Sequence, residues 1–278
     1  MGLFKNLLSN YTEELEKYII QIDAGMLDLE DIGPFLMKNK ISEQEYNKVR
    51  IQAHKKRADA GSVESQYLYA ILMEDQNKED SLRYYLMAAD QGYVEAMKTL
   101  ANAYSEYGNV YGRGFGINPS KEFEWKKRAA ETGDPDAICS LALEYSLGKI
   151  VEENEEEAER LYGIAAEKGY AKAYIEISMF PKYVNDREKR INLLRAALNC
   201  NGITEDEFSR ATRGLGWCYL PSQDNPYSDS RLSAYCFSMG YILGDDQLGE
   251  KVRETGYQTK EGEWDKWLDD AKHLRFQP

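Results

Sequence analysis

The feature that most constrains this chain is a recurrence. Ala88-Ala89 with Gly92, Ala129-Ala130 with Gly133, and Ala165-Ala166 with Gly169 all take the form A-A-x-x-G, and Ala58 with Gly61 gives an earlier, weaker copy. Successive glycines stand 31, 41 and 36 residues apart, a period that implies one supersecondary unit stacked on copies of itself. Four residues after each Gly comes a small residue, Ser65, Ala96, Ala137 or Ala173. Four and five positions further on lie a large apolar and a small residue: Tyr69-Ala70, Leu100-Ala101, Leu141-Ala142 and Ile177-Ser178. A later copy starts at Ala211, with Leu215-Gly216, and Tyr104, Tyr145 and Tyr219 share the eighth position. This spacing puts each set on one face of a helix, helix A of the repeat.

A second helix, B, is predicted from its ends. Asn77, Asn118 and Asn154 stand fifteen residues before Gly92, Gly133 and Gly169, and Asn185 stands likewise before Cys200, which replaces the glycine. An Asn there caps the free amides of a first turn. Pro119, directly after Asn118, suits the first helical position. The closing Gly suits a left-handed C-terminal residue. Tyr84, Trp125 and Leu161 lie four before the first Ala, large against the small pair that lets neighbouring helices approach.

These residues resemble the Sel1-like repeat family, whose pattern is approximately A-x-x-x-L-[AG]-x-x-Y…G-x-G-V-x-x-[DN]-x-x-K-A-x-x-W-Y-x-x-A-A-x-x-G. The third copy aligns with it through Ala137, Leu141, Ala142, Tyr145, Gly148, Val151, Asn154, Glu157, Ala158, Leu161, Tyr162, Ala165, Ala166 and Gly169, with Glu157 and Leu161 at the Lys and Trp positions. The resemblance implies an all-α fold, a right-handed superhelical solenoid of antiparallel helix pairs related in design to tetratricopeptide arrays. It covers 58–244, about five helix pairs, leaving 1–57 as an N-terminal helical cap and 245–278 as C-terminal capping helices. In the fourth copy Asn192 and Cys200 stand for the aromatic and the Gly, and Pro181 shortens helix A.

In the N-terminal segment, Phe4, Leu7, Leu8, Tyr11, Leu15, Tyr18, Ile19 and Ile22 mark an amphipathic helix. Gly33-Pro34 is read as a break, and Ser42 with Glu45 as a capping box ahead of a helix running towards Gly61. Near the other end, Thr259 is the expected cap of a helix carrying Trp264, Trp267 and Ala271.

A formal charge of −13 disfavours nucleic acid and anionic membrane surfaces as partners and favours a basic protein. No apolar run reaches membrane-spanning length, and a cytoplasmic location is expected. Cys139, Cys200, Cys218 and Cys236 lack metal or redox spacing and read as reduced core residues, with Cys218 and Cys236 the one pair to examine for a bridge. His54 and His273 stand apart from any ligand cluster and read as surface residues. No nucleophile elbow, Walker loop or H-E-x-x-H helix is present. No catalytic residue, cofactor or metal is therefore expected.

What remains is surface. Opposite the core face of helix A, the sixth position of successive copies holds Ile71, Asn102, Leu143, Met179 and Trp217. The second position holds Tyr67, Lys98, Cys139, Ile175 and Arg213. Helix A of such arrays lines the inner curve, so these rows, Cys139 aside, are the candidate partner-binding residues of a concave face. The alternative is that they pack against adjoining A helices. The glycine-rich stretch Tyr107 to Ser120 follows helix A rather than a strand, which argues against a phosphate loop. It contains a surplus of about five residues around Tyr107 to Tyr111 relative to the third copy, and Tyr107, Tyr111 and Arg113 are candidate rim contacts.

The leading expectation is a non-enzymatic scaffold or adaptor that holds a protein or peptide. Its runner-up is an acidic immunity-type inhibitor of a basic bacterial toxin, and the third reading is a hydrolase built on the array. Whether the chain is a monomer or a homodimer stays open.

Overall fold

Every described element is a helix, as the small-residue periodicity requires. The structure is a computed structural model that describes residues 2–110, 114–222, 224–260, 262–273 and 276. Tyr111, Arg113 and the side chains of Phe4, Leu7, Leu8 and Tyr11 lie outside the described residues. The chain divides into two units, Met1–Arg128 and Ala129–Pro278, a boundary that coincides with neither residue 57 nor residue 244.

Unit 1 begins with α1 (Gly2–Asp23), α2 (Leu29–Asn39) and α3 (Glu43–Asp59). Leu15 and Ile19 of α1 meet Ile32 and Val49 in a small core of their own. The Ser42–Glu45 capping box forms, with Glu45 N–H donating to Ser42 Oγ at 3.2 Å and Ser42 N–H to Glu45 at 3.1 Å. The break expected at Gly33-Pro34 does not occur. The α2 start lies further upstream, where Asp31 accepts from Asp28 N–H at 2.9 Å, and Pro34 sits inside the helix. A proline there removes one intrahelical bond rather than ending the helix.

The first A–B pair is α4 (Val63–Met73) and α5 (Lys78–Asp90). The second A helix is α6 (Val94–Tyr104), followed by the short α7 (Glu106–Val110) and by helix B, α8 (Pro119–Glu131), whose first ten residues fall in this unit. Asn77 caps α5 and Asn118 caps α8, accepting from Asp80 N–H and Lys121 N–H at 3.1 and 3.0 Å. Each cap also donates its own N–H to the carbonyl at the eighth position of helix A: Asn77 to Met73 at 2.8 Å, Asn118 to Tyr104 at 2.9 Å. That bond fixes where helix B begins, whatever the length of the loop between. Gly92, at φ +89°, ends α5 with Tyr93 N–H bonded to Ala88 O and Gly92 N–H to Ala89 O, the paired bonds of a left-handed helix stop.

Unit 2 continues with α9 (Pro135–Leu147), α10 (Glu155–Glu167), α11 (Ala171–Ile177), α12 (Pro181–Asn185), α13 (Arg187–Leu198), α14 (Glu205–Tyr219) and α15 (Ser230–Ile242). The chain then adds α16 (Leu248–Glu254) and α17 (Glu263–Lys272). The same cap bonds recur, Asn154 N–H to Tyr145 O at 2.8 Å and Asp229 N–H to Tyr219 O at 3.0 Å. Pro181 does end the fourth A helix early, leaving α11 at seven residues. Three expected details shift. Asp186, not Asn185, caps α13, because α12 carries the helical backbone through Asn185. The left-handed glycine of that copy is Gly202, at φ +74°, two residues beyond Cys200. At the far end Thr259 is not the cap of α17; Gly262 occupies that place at φ +78°, and Lys260 N–H bonds Glu263.

Trp267 and Ala271 of α17 are fully buried in the same core as Phe208, Leu215 and Tyr235, so the terminal helices extend the repeat core rather than standing apart from it. Trp264 stays 40 % exposed.

Candidate functional site

The last turns of α4 and α6 enclose a hollow of about 380 Å³ in unit 1. Tyr67, Ile71, Lys98 and Asn102, all expected on the inner rows, line it together with Glu74, Tyr85, Thr99, Ala103 and Gly108. Spacing explains the meeting: residues four apart on one helix share a face, so Tyr67 with Ile71, and Lys98 with Asn102, present paired walls. Tyr67 is half-buried, its ring 5.7 Å from Tyr85 and 5.1 Å from Tyr93. Its hydroxyl lies 3.5 Å from Thr99 Oγ1. Ile71 is 39 % exposed. At the end of α4, Glu74 Oε1 accepts from the hydroxyl of buried Tyr85 at 2.6 Å. On the opposite wall Lys98 Nζ pairs with Glu95 at 3.2 Å. The result is an apolar and aromatic floor between one carboxylate and one ammonium.

The surplus stretch reaches this hollow. Its α7 is held by Gly108 N–H donating to Ser105 Oγ at 3.0 Å and by Asn109 Nδ2 donating to Ala103 O and Ser105 O at 3.2 and 2.8 Å. Gly108 lies so close to α6 that a Cβ there would stand 2.1 Å from Asn102 O. Only glycine permits that approach. Tyr107 is 64 % exposed beside it.

Unit 2 repeats the hollow on a smaller scale, about 240 Å³, between the ends of α9 and α11. Counted from the small residue that anchors each A helix, Ser146 stands where Glu74 does, Glu176 where Thr99 does and Met179 where Asn102 does. Tyr162 takes the place of Tyr85. Phe180 replaces Ala103, its ring 6.1 Å from Tyr162. The larger side chain takes up space that Ala103 leaves open. Glu176 accepts from Arg210 at 2.7 Å, an ion pair within the unit.

The other unit 2 candidates scatter. Ile175 is only 2 % exposed and belongs to the core with Phe208 and Leu215, which withdraws it from any partner surface. Leu143 and Met179 are exposed. Arg213 is tied to Asp245 at 2.9 Å and borders a shallow hollow with Glu205, Asp206 and Asp246. Trp217 is exposed on one face, packs edge-on against Phe237 at 5.6 Å, and carries Lys251 over its ring at 5.1 Å.

His54 corrects the expectation of a surface residue. It is buried, with Nε2 2.7 Å from Asp23 Oδ2, while Arg50 grips the same carboxylate at 2.6 and 2.9 Å. Burial alone would raise the Asp23 carboxyl, but the hydrogen bonds from His54 and Arg50 outweigh it and hold the group below its usual range. The sequence hides this cluster because its partners lie on α1 and α3. His273, by contrast, is exposed. All four cysteines are free thiols; burial pushes Cys139 up to about 12 and raises Cys218 and Cys236 as well. Among the described residues no group of His, Cys, Asp or Glu is arranged to hold a metal ion, and no helix is long and apolar enough to cross a membrane.

Glu74, Tyr85, Thr99, Ala103 and Gly108 lie outside the second and sixth rows. Tyr85 follows Tyr84 on helix B, and Glu74 is the ninth position of helix A, on the face of Tyr67 and Ile71.

Residues 63–93, 135–170 and 209–245 match the family described as Sel1 repeat. A Sel1 repeat protein from Oxalobacter formigenes has a similar structure, with 20 % identity over 85 % of this chain and 98 % of that one and a TM-score of 0.60. A protective antigen of uropathogenic Escherichia coli strains, displaying an SLR fold, aligns over 86 % of this chain and 58 % of its own at 19 % identity and a TM-score of 0.47. An immunity protein from Pseudomonas aeruginosa aligns over 71 % and 74 % at 14 % identity and a TM-score of 0.40. No curated protein sequence matches the chain.

Proposed function

The chain is a Sel1-repeat protein, and on that premise we propose that it is a non-enzymatic scaffold that holds a protein or peptide partner in the hollow between α4 and α6. The observation that carries this reading is the hollow itself: four residues from the inner rows, Tyr67, Ile71, Lys98 and Asn102, converge there around space open to solvent. Aromatic anchors flanked by polar groups are the composition that interface hot spots favour. The acidity of the chain, −13 overall, favours a basic partner. Tyr107, exposed next to the hollow, extends the surface, and Leu143, Met179 and Trp217 offer further contacts on unit 2.

The test is affinity capture from the native host with wild-type chain and the Ile71→Lys variant. A partner held by the wild type and lost by a variant of unchanged helicity and melting temperature supports the reading. Identical capture by both, or a cooperative loss of stability in place of a selective loss of binding, counts against it.

A toxin-neutralising role is a narrower form of the same proposal, supported by the carboxylates Glu205, Asp206 and Asp246 around one unit 2 hollow, where Asp245 is already paired with Arg213. Genes beside this one that encode a basic toxin would favour it, and their consistent absence would count against it.

A further inference from the structure

We propose that the unit 1 hollow receives an arginine side chain from a basic segment of the partner, with Glu74 as the pairing carboxylate; this rests on the reading of that hollow as the partner site. Three observations lead there. First, Glu74 has no basic side chain paired to it among the described residues; its Oε1 accepts from the Tyr85 hydroxyl at 2.6 Å, which leaves Oε2 to accept from a ligand. A carboxylate can accept at both oxygens, and a guanidinium offers matching paired donors.

Second, two helix C-termini meet at this cavity. Ile71 and Glu74 come from the end of α4, Asn102 and Ala103 from the end of α6. Neither helix has a basic residue in its last turn, so the negative ends of both dipoles add to the Glu74 charge rather than being offset. The Tyr67 ring on the floor supplies the face on which a planar cation stacks. The one basic residue of the lining, Lys98, is held by Glu95 at 3.2 Å.

Third, unit 2 shows how a carboxylate bordering such a hollow is satisfied. Glu176, which stands at the Thr99 position rather than the Glu74 one, pairs with the guanidinium of Arg210 at 2.7 Å, while Ser146 takes the place of Glu74. The Glu74 carboxylate is therefore particular to the unit 1 hollow, and it has no such guanidinium among the described residues. A volume of about 380 Å³ exceeds what one arginine side chain needs, leaving room for its backbone to approach Asn102.

The test is selection of random twelve-residue peptides displayed on phage against the full chain, followed by a double-mutant cycle. The expected result is enrichment of peptides with a required arginine, whose replacement by alanine weakens binding about tenfold or more, as loss of a charge-assisted pair does. Glu74→Gln, which keeps the shape and an oxygen for Tyr85, should weaken binding by a similar factor, and the two changes together should cost little more than either alone. Ile71→Lys, at an exposed position of the same wall, provides a second variant that should weaken these peptides with folding intact. Peptides that compete at the hollow but are indifferent to Glu74→Gln, or that require a carboxylate and Lys98, would overturn the arginine assignment while leaving the hollow as a binding site. Failure to select any peptide sensitive to either variant would count against both.

Discussion

The two hollows between successive A helices differ at a few positions of one repeated frame, and those differences separate a wider site from a narrower one. In unit 1 the seventh position of helix A is Ala103, and about 380 Å³ stays free beside Tyr85. In unit 2 it is Phe180, packed near Tyr162, and about 240 Å³ remains. The second position diverges as well: Lys98 reaches a solvent-facing wall, while Ile175 disappears into the core. The helices differ too: Pro181 stops α11 after seven residues, whereas α6 runs for eleven. Length alone does not set burial, because Cys139, at the second position of the thirteen-residue α9, is buried as Ile175 is. A repeat fixes which positions share a face, and the side chains packed against each helix decide whether that face is a surface or a core.

The sharpest way to break this comparison is to exchange residues at the second position. Ile175→Lys buries an ammonium with no partner and should cost about 3–5 kcal/mol. Lys98→Ile, at the same repeat position, should change stability by no more than about 0.5 kcal/mol. Denaturant titration of the two variants measures both, and equal costs would remove the distinction between the units.

A smaller effect is expected at the insertion that borders the open hollow. Gly108→Ala places a Cβ against the Asn102 carbonyl and should destabilise by about 1–3 kcal/mol, with α7 pushed off α6. Thermal unfolding together with loss of partner binding would show it; an unperturbed variant would mean that the insertion is loosely held. Smaller again, Asn154→Ala removes the cap of α10, which accepts from Glu157 N–H at 3.0 Å, for about 1 kcal/mol. Because that cap fixes the helix bordering the narrower hollow, its loss should leave partner binding untouched in a titration with the captured partner.

The smallest effect at neutral pH separates the two cores. Unit 1 holds the Asp23–Arg50–His54 cluster, and the folded Asp23 carboxyl lies below its ordinary value. A depressed carboxyl contributes stability that is present above the unfolded value, about 3.9, and lost as pH falls through the folded one. Acid titration followed by hydrogen exchange should therefore loosen the α1–α3 contact below about pH 4, before the apolar core around Trp267 opens. If both regions exchange together, the cluster contributes nothing specific.

Much of the fold was legible because it rests on short-range rules. The Asn caps, the left-handed glycines and the small residues of helix A each act within one or two turns, and Gly92, Asn118 and Asn154 behave as their spacing requires. The errors fall where two neighbours compete for one role: Asp186 beside Asn185, Gly202 beyond Cys200, Gly262 beyond Thr259. Tertiary placement was less legible. Nothing local marks His54 as buried, since Asp23 reaches it across 31 positions, and nothing in the row containing Tyr67 and Lys98 signals that Ile175 belongs to a core. For the candidate site, the sixth and second positions led to four of the lining residues. The carboxylate, Glu74, shares the face of Tyr67 and Ile71 but lies just past the end of α4, where helical periodicity no longer fixes a position.

The most direct measurement is the affinity of the captured partner for the Ala103→Phe variant, which writes the unit 2 residue into the unit 1 hollow. Binding should fall at least tenfold, as loss of a central anchor pocket does, while helicity is retained and the melting temperature moves by only a few degrees. Undiminished binding by a folded Ala103→Phe chain would contradict the hollow as the place where the partner is held.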